Sequence, residues 1–585
     1  MPDSRNQRLR RAVPVLALAA VAFLTGAIVG AHRGSSASLT LADDYVRAWS
    51  HGDYAQMYGD ISSASKRTTS PGAFAAAHRQ AMRTATAVSL APAGQARSLG
   101  AGRVEVPVRV RTRLWGMLEL PLVLDTVATE GSPRVEWSRS QAFPGVADGA
   151  RLNRRMTLPR RATLLARDGK VLAESPPEGQ EGGRSDPLGE QASAVVGEVG
   201  PIPAARRRAL EAEGVPPDAD VGTSGLELAL DSHLRGRPGG ELLAGEKLLA
   251  STTPRAAHTV RTSISPAVQE SAVTALGGQL GGVVAMKPST GEILAVAGIG
   301  LDGLQPPGST FKIVTVAGAL GAHIATPHTV YPYATHATLD GVTLNNAGGE
   351  ECGGSLELAF AVSCNSVFTP LGVKLGAPRL VAMAERFGFN QDPGVPGAAR
   401  SSLPAADAIQ GELAVGSTAI GQGEVLATPL QMATVAAAIG DNGHRPAPTF
   451  LAGAPRAGAQ AVSPQVAHTV RHLMTEVVRQ GTGTSAAIPG VVVAGKTGTA
   501  ELKSSCTPTP AEREGAEAAS EAEPEAESCT GTESNPENTD AWFAAFAPAI
   551  HPRIVVCVML VKNGAGGDTA APVAREVLEA GLHGS

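Results

Sequence analysis

The stretch GVVAMKPSTGEILAVA, residues 282–297, contains two short apolar runs separated by the turn sequence PSTG at 288–291. Proline, serine and glycine between apolar runs are typical of a tight turn. Valine and isoleucine on either side favour strands. The pattern therefore predicts two antiparallel strands, at 282–286 and 292–297, that pair with each other.

Three further apolar runs later in the chain predict three more strands, at 491–496, 541–546 and 554–561. Helices should flank the set, because Ser265 can cap a helix that begins at Pro266 and a final helix is expected at about 571–582. The long interval between the second and third strands has helical patterns. Five strands with a helical insertion predict one antiparallel sheet covered by helices.

Residues 37–147 have the pattern of a separate α+β domain. Apolar residues at i, i+4 and i+8 from Leu41 predict a helix that Thr40 can cap. Valines at every second position from 104 to 110 then predict a strand, and Trp115 begins a hairpin turn into another. Helices followed by a curved antiparallel sheet make an α+β unit.

Residues 148–258 are less periodic and richer in proline, glycine and arginine, which predicts an extended linker domain. The sequence RDGK at 167–170 is a turn signal between two short apolar runs, so we expect a hairpin there. The regular pattern that begins near residue 259 defines a further domain, at 259–585. The chain as a whole is therefore predicted to be a multidomain α+β protein.

The beginning of the chain has the pattern of a membrane anchor. Four arginines between residues 5 and 11 precede the uncharged stretch 12–31, whose 20 residues can just cross a hydrocarbon core as a helix. Only Arg33 follows soon after, so the positive-inside rule predicts a cytoplasmic tip at 1–11 and an extracytoplasmic remainder. The alternative is a cleaved signal peptide, but the apolar run exceeds the usual length of such a segment.

The formal net charge of −5 argues against a nucleic-acid-binding protein, which should carry a concentrated basic face. The acidity is local, because nine Glu and one Arg lie between residues 511 and 538. We interpret 502–538 as an acidic disordered insertion. Of the five cysteines, Cys506 and Cys529 could be bridged around this insertion, whereas Cys557 in an apolar run is predicted to be a buried inert thiol.

One short motif could supply a nucleophile. Ser309-Thr310-Phe311-Lys312 follows a Pro-Gly turn that should open a helix, so Ser309 would lie at the helix N-terminus with Lys312 on the same face. A neutral lysine there could take the serine proton. The pattern alone is weak, because SASK at 63–66 is a second match that we interpret as accidental.

Two other motifs complete a set. Ser363-Cys364-Asn365 follows a helical run and supplies a second hydroxyl and an amide. Lys496-Thr497-Gly498 ends a predicted strand, where the lysine could hold a carboxylate and the glycine would let a ligand approach the backbone. In this order and on these elements, the three motifs resemble the signature of penicillin-binding proteins and serine β-lactamases.

From about residue 160 onward, the sequence resembles a class B penicillin-binding protein, a peptidoglycan D,D-transpeptidase. The blocks that carry this resemblance besides the three motifs are GTSGLE at 222–227, AIGQG at 419–423, TPLQMA at 428–433, GTGT at 481–484 and AWF at 541–543. Residues 37–147 resemble, less specifically, the nuclear-transport-factor-like extension of the methicillin-resistance type. The sequence departs from the family pattern at RATL, 161–164, where Arg-Gly-x-Ile is usual, and at Ser265, where Asp is usual.

The resemblance implies a fold and a role for each residue of the first two motifs. The fold is a nuclear-transport-factor-like α+β cone, a linker or dimerisation domain, and a penicillin-binding and β-lactamase-like transpeptidase domain. Ser309 would attack the carbonyl between the last two D-Ala residues of a peptidoglycan stem peptide and form an acyl-enzyme. Lys312 would be the general base, with a pKa lowered by burial and by Lys496. Ser363 would relay a proton toward the leaving amine, and Asn365 would hydrogen-bond the substrate.

The third motif would bind the substrate. Lys496 and Thr497 would hold the terminal carboxylate beside Gly498, and the N–H groups of Ser309 and Thr499 would form the oxyanion hole. An amine of a neighbouring stem would then release the acyl group and make a cross-link. β-Lactams mimic the D-Ala-D-Ala end and should acylate the serine.

The resemblance also implies partners. Besides stem peptides and β-lactams, it implies a separate membrane polymerase of the FtsW/RodA type, and it implies no metal or other cofactor. The best metal candidate in the sequence fails, because His468 and His472 are spaced as in a metalloprotease helix but Thr469 stands where the catalytic glutamate belongs.

Two alternatives share the three motifs. A membrane-anchored serine β-lactamase needs a group that activates water, and no Glu-x-x-Leu-Asn block follows Ser363. A β-lactam-resistance or sensor protein usually has several spans or a cytoplasmic effector, whereas only 11 residues precede the predicted anchor here. The transpeptidase is therefore the favoured interpretation.

Overall fold

The computed structural model describes residues 36–129, 131–176, 184–453, 455, 457–501 and 538–583. The predicted anchor, the cytoplasmic tip, Cys506, Cys529 and all of the acidic insertion except Asn538 lie outside these residues. Within the ranges just given, no helix is both long and apolar enough to span a membrane.

The chain forms two compact units. The first contains the residues up to Arg160 together with Pro201–Ala219 and Arg235–Ala257. The second contains Arg161–Gly200, Asp220–Leu234 and the residues from His258 on. Segments of the predicted linker domain at 148–258 therefore occur in both units.

The helices and strands are numbered here in chain order within the described ranges. The helices are α1 (36–50), α2 (Tyr54–Gly59), α3 (Ser63–Thr68), α4 (Pro71–Thr84), α5 (Glu190–Val196), α6 (Ala204–Ala212), α7 (Gly225–Ala229), α8 (Asp231–Leu234), α9 (Pro266–Leu276), α10 (Lys312–Gly321), α11 (Leu356–Ala361), α12 (Asn365–Leu375), α13 (Ala377–Arg386), α14 (Glu412–Ala419), α15 (Pro429–Gly440), α16 (Pro464–Gln480) and α17 (Ala570–His583). The strands are β1 (Ala87–Pro92), β2 (Arg97–Gly100), β3 (Arg103–Thr112), β4 (Met117–Thr129), β5 (Ser132–Val135), β6 (Leu152–Thr157), β7 (Leu164–Leu165), β8 (Val171–Ala173), β9 (Val199–Pro201), β10 (Asp220–Gly222), β11 (Gly239–Ala244), β12 (Lys247–Thr252), β13 (Val260–Arg261), β14 (Gly281–Met286), β15 (Ile293–Gly298), β16 (Val330–Ala334), β17 (His336–Leu339), β18 (Val342–Asn345), β19 (Cys352–Ser355), β20 (His444–Pro446), β21 (Gly458–Gln460), β22 (Ala494–Glu501), β23 (Thr539–Ala547) and β24 (Ile554–Leu560).

The first unit contains helices α1–α4 and a five-stranded antiparallel sheet in the order β1-β3-β4-β5, with β2 also paired to β3. The four valines of β3 that predicted a strand are at most 2% exposed and face the helices' apolar side chains, including Tyr45 and Trp49. The predicted cap of the first helix is wrong, because the described part of α1 already includes residue 36. Thr40 lies inside it and donates its hydroxyl to the Ser36 carbonyl at 3.2 Å.

The second unit is built on a five-stranded antiparallel sheet in the order β15-β14-β24-β23-β22. All five strands are those predicted from the apolar runs. Alternate residues such as Val283 and Phe543 pack against α9 and α17 on one face. Phe546, which points the other way, packs against α15, a helix with every residue buried. This two-sided cover explains why the strands are continuously apolar rather than alternating.

One strand boundary differs from the prediction in a way that affects the site. Strand β22 begins at Ala494 and runs to Glu501, so Lys496-Thr497-Gly498 lies in its middle and not at its end. The whole strand pairs with β23, from Ala494 opposite Phe546 to Glu501 opposite Thr539. Apolar periodicity stops at residue 496 because one face of this edge strand carries polar groups.

Two smaller predictions are confirmed in the second unit. The RDGK turn joins β7 to β8 in an antiparallel hairpin. Cys557 in β24 is a free, buried cysteine, and burial raises the pKa of its thiol above the usual range. A thiol in that state is a packing group and not a nucleophile.

A buried ion-pair cluster joins two segments of the second unit, Arg161–Gly200 and Asp220–Leu234. Arg161 donates through Nε to Glu227 Oε2 at 2.6 Å and through Nη1 to Asp231 Oδ1 at 2.8 Å. Both carboxylates have side chains at most 3% exposed, and Arg184 also pairs with Glu227. These acids belong to the GTSGLE block and the helix after it, which explains why the block is recognisable in the sequence.

We expect Arg161→Met to lower the free energy of unfolding of the second unit by about 3 kcal/mol, because it removes a guanidinium that pairs with two buried carboxylates. The loss should not exceed this value, since Arg184 still pairs with Glu227. Urea unfolding followed by circular dichroism measures it. Arg109→Met is the matched control, because the Arg109–Glu119 pair is exposed and worth at most about 1 kcal/mol. Equal losses in the two variants would contradict the prediction.

Candidate active site

Ser309 lies in a 3₁₀ turn, Gly308–Phe311, that leads directly into α10. It is partly exposed, whereas its neighbours Gly308 and Thr310 are buried. The backbone of Gly308 has a φ of 52°, and its N–H donates to the Gly421 carbonyl at 3.0 Å. A Cβ on Gly308 would lie 2.8 Å from the Thr499 carbonyl oxygen. Only glycine therefore allows the turn to lie this close to β22.

Lys312 is fully buried at the first residue of α10. Its Nζ donates to the Ser363 carbonyl oxygen and to Asn365 Oδ1, each at 2.6 Å. The hydroxyl of Ser363 lies 3.4 Å from the same nitrogen. The structure thus brings the first two motifs together, 51 to 53 residues apart in the chain.

Lys496 is also fully buried, and its Nζ donates to Ser363 Oγ at 2.8 Å and to the Thr497 carbonyl at 3.1 Å. The Ser363 hydroxyl is therefore close to both lysine amines. Burial lowers the pKa of Lys496 well below the usual lysine value of 10.5, and the charge of Lys312 lowers it further. Two buried ammonium groups this close repel each other, which favours a state with one of them neutral.

Ser363 lies in the sharp break between α11 and α12, and Asn365 is the first residue of α12. Ser363 has a φ of 61°, a left-handed conformation that is unfavourable for a residue other than glycine. The Asn365 side chain accepts from Lys312 through Oδ1 and donates through Nδ2 to the Asn345 carbonyl at 2.9 Å. The amide thus orients the lysine, a contact that the sequence did not predict.

The remaining predicted residues lie along β22. The hydroxyls of Thr497 and Thr482 are 2.6 Å apart, which joins the Lys-Thr-Gly strand to the segment that follows α16. Gly498 is required because a Cβ there would lie 2.8 Å from the Pro307 carbonyl oxygen. Thr499 is partly exposed. All eight predicted site residues are therefore on, or directly against, the turn, the α11–α12 break and β22.

Several residues that hold this site together were not predicted. Gly421 must be glycine, because a Cβ there would lie 2.1 Å from the Gly308 carbonyl oxygen. A Cβ on Gly566 would lie 2.3 Å from the Gly498 carbonyl oxygen, and one on Gly567 would lie 2.2 Å from that of Thr482. The AIGQG block signalled the first of these. Nothing in the sequence around Gly566 and Gly567, which precede α17, indicated that these positions require glycine.

A disulfide joins Cys352 to Cys364, with Cα atoms 5.8 Å apart. Cys364 is the middle residue of Ser363-Cys364-Asn365, so the bridge lies inside the second motif. The sequence pattern had suggested a disulfide only between Cys506 and Cys529. The separation of 12 residues and the extracytoplasmic prediction were the available signals for this one.

Two acidic side chains and a histidine of α11 and α16 come close enough to hold a metal ion. Glu357, His472 and Glu476 place ligand atoms within 4.8 Å of one another. However, Glu476 already accepts from Arg479 and Gln480, and His472 lies 3.3 Å from Glu357. These pairs are a polar contact between two helices, and they lie outside the network of the three motifs.

Comparisons with known proteins agree with this geometry. The model of the penicillin-binding protein transpeptidase domain matches residues 281–579, and that of the penicillin-binding protein dimerisation domain matches 179–248. The peptidoglycan D,D-transpeptidase PbpA of Mycolicibacterium smegmatis is 34% identical over 432 residues, which cover 62% of this chain and 80% of that protein.

Solved structures show the same relationship. The D,D-transpeptidase domain of a peptidoglycan glycosyltransferase from Eggerthella lenta matches with a TM-score of 0.55 and 29% identity, over 72% of this chain and 98% of that one. The penicillin G acyl-enzyme complex of penicillin-binding protein A from M. tuberculosis matches with a TM-score of 0.55 and 27% identity, over 72% and 99% of the two chains. Since the transpeptidase match spans just over half of the sequence and is accompanied by the dimerisation domain, this chain belongs to the class B penicillin-binding proteins.

Proposed function

We propose that this chain is a peptidoglycan D,D-transpeptidase in which Ser309 is the nucleophile and is also acylated by β-lactams. The observation that carries the proposal is the network in which Lys312 and Lys496, both fully buried, converge on Ser363 beside the Ser309 turn. A structural role does not call for two buried amines at one hydroxyl, since burying them is costly. A proton-transfer site does.

Acylation uses this network directly. The Ser309 hydroxyl attacks the carbonyl carbon between the last two D-Ala residues while neutral Lys312 takes its proton. The N–H groups of Ser309 and Thr499 stabilise the developing oxyanion, a contribution of several kcal/mol in such reactions. The C–N bond then breaks, and the amine of the departing D-Ala receives the proton by way of the Ser363 hydroxyl, which lies near both lysines.

Release of the acyl group regenerates the enzyme. The amine of a neighbouring stem peptide attacks the ester carbonyl, an amide forms, and the ester oxygen of Ser309 recovers a proton through the same lysines. With a β-lactam, the broken C–N bond belongs to the ring, so the leaving amine stays attached and obstructs this step. The adduct is therefore long-lived.

The two lysines have different roles, one in binding the substrate and one in proton transfer. Protonated Lys496, with Thr497, binds the terminal carboxylate of the substrate, and Gly498 lets that carboxylate approach the strand. Lys312 carries charge until the proton that the two lysines share passes to Lys496, and it then acts as the base in its neutral form, held in place by Ser363 and Asn365. One charged and one neutral lysine is also the state that avoids repulsion in a buried site.

We further propose that the catalytic domain is extracytoplasmic, held by a single-pass anchor at 12–31, and served by a separate FtsW/RodA-type membrane polymerase. The arginines before the apolar stretch support the orientation, and the Cys352–Cys364 disulfide is compatible with an oxidising compartment. Helices α1–α4 packed on the sheet of β1–β5 support a nuclear-transport-factor-like domain at 37–147. That domain precedes the linker at 148–258 and the transpeptidase domain at 259–585.

Assays with the full chain in detergent distinguish this function from the β-lactamase alternative. We expect stem peptides ending in D-Ala-D-Ala to yield a cross-linked dimer and one D-Ala per cross-link. Acetylating the donor amine should abolish the dimer. Penicillin G should give a stable one-to-one adduct detectable by mass spectrometry. Rapid multiple turnover of penicillin without cross-linking would instead identify a β-lactamase.

A further inference from the structure

The Cys352–Cys364 disulfide connects the second motif to a neighbouring small sheet. Cys352 is the first residue of β19, which pairs with β16 so that Ala334 lies opposite Cys352. Cys364 separates Ser363 from Asn365, the two residues that receive Lys312. Both cysteines are buried, with exposures of 9% and 1%. The bridge is therefore one residue away from Ser363 and from Asn365, which both accept hydrogen bonds from the proposed general base.

The chain needs support at this point. Ser363 adopts a left-handed conformation that a residue other than glycine keeps only when its surroundings over-determine it. The contacts that hold the segment include a hydrogen bond from the Cys364 N–H to the Ala359 carbonyl at 2.8 Å, the hydrogen bonds of Lys312 and Lys496 to Ser363, and the disulfide at Cys364. Of these, only the disulfide ties the segment covalently to another element.

The far side of the bridge is itself anchored. The Asn346 side chain accepts from the Ser366 N–H at 2.8 Å and donates to the carbonyls of Ala334 and Glu350. The small sheet is thus fixed to the start of α12 independently of Cys364. A bridge to this sheet can consequently hold Cys364 in one place.

We propose that Cys352 and Cys364 are positioning residues for acylation: their disulfide holds Ser363 and Asn365 where they receive Lys312, so that breaking it slows the chemical step. The proposal rests on the roles of Lys312 and Ser363 proposed above. It also makes this bridge a modification site at which a reductant of disulfides lowers the activity. The carboxylate-binding residues lie on β22, which pairs with β23 along its whole length. Initial binding of a β-lactam should therefore change much less than its reaction with Ser309.

The experiment separates binding from chemistry. Acylation by a fluorescent penicillin is measured over a range of concentrations, which yields a dissociation constant and an acylation rate constant. We expect Cys352→Ala/Cys364→Ala to lower the rate constant at least tenfold while the dissociation constant stays within about threefold. Cys557→Ala is the matched control, because Cys557 is a free cysteine in β24 whose thiol contacts the Val558 carbonyl and not a motif side chain. Its rate constant should equal that of the native chain.

Reduction of the native chain gives a second measurement that needs no variant. A water-soluble phosphine breaks the S–S bond in a two-electron step: the sulfurs become two thiols with the hydrogens of one water molecule, and the phosphine becomes its oxide with the oxygen. The rate constant should fall in proportion to the fraction of Cys364 that becomes alkylatable, as counted by peptide mass spectrometry. The double alanine variant should not respond to the phosphine. This arm remains decisive even if the double variant fails to fold.

The outcomes are separable. A folded double variant that is acylated at the native rate overturns the proposal, as does a native chain whose rate is unrelated to reduction at Cys364. An equal effect of the phosphine on the native chain and the double variant also overturns it, because the reductant then acts through other cysteines. Failure of the proposed function appears elsewhere, as labelling that survives Ser309→Ala.

Discussion

Ser309→Ala is expected to abolish covalent labelling of this chain by a fluorescent penicillin. The β-lactam carbonyl can form an ester only with a nucleophilic oxygen, and the buried amines of Lys312 and Lys496 are already hydrogen-bonded to Ser363. Removing one partly exposed hydroxyl should leave thermal unfolding nearly unchanged. Labelling is followed by in-gel fluorescence, and the fold by circular dichroism.

Ser63→Ala is the matched control for this prediction. Ser63 begins the other Ser-x-x-Lys sequence, but it is exposed at the start of α3, and Lys66 donates to the Gly59 carbonyl at 2.8 Å. Labelling should be unchanged in that variant. Labelling that persisted in Ser309→Ala would place the nucleophile at a different residue, whereas loss in both variants would point to general damage.

The sheet of the second unit was predictable because its strands are covered on both faces. Continuous burial makes each strand an apolar run, and the turn at 288–291 separates the first two runs clearly. The exception is β22, where the apolar run stops while hydrogen bonding to β23 continues through Glu501. Polar residues facing a site mask the strand pattern, so prediction failed at the boundary that matters for function.

The site itself was predictable only as a list of residues. The order of the motifs and the family resemblance identified the side chains of the site. They did not predict that Lys312 and Lys496 both contact Ser363, because these residues are 51 and 133 positions away from it in the chain. The Cys352–Cys364 bridge was missed for a related reason. Pairing among five cysteines depends on which of them the fold brings together, and spacing does not contain that information.

Lys312→Met is expected to lower the acylation rate constant by about 10²- to 10⁴-fold, the usual contribution of a general base. Methionine keeps most of the buried volume but cannot accept the Ser309 proton. It also leaves the Ser363 carbonyl and Asn365 Oδ1 without the lysine donor that each has at 2.6 Å. Stopped-flow measurement with a chromogenic β-lactam gives the rate constant.

The same variant should change the pH dependence of initial β-lactam binding, which a loss of packing alone would not do. In the native chain burial is the larger cause of the lowered pKa of Lys496, and the charge of Lys312 is the second. Lys496 is charged below its pKa, so carboxylate binding weakens as the pH rises through a value below 10.5. Without the charge of Lys312, the loss of carboxylate binding should move to higher pH, yet burial should keep its midpoint below the usual lysine pKa.

Lys374→Met, an exposed change on α12, is the control and should alter neither the acylation rate constant nor the pH dependence of binding. If Lys312→Met acylates within tenfold of the native rate and its binding profile does not move, Lys312 is neither the base nor an electrostatic partner of Lys496.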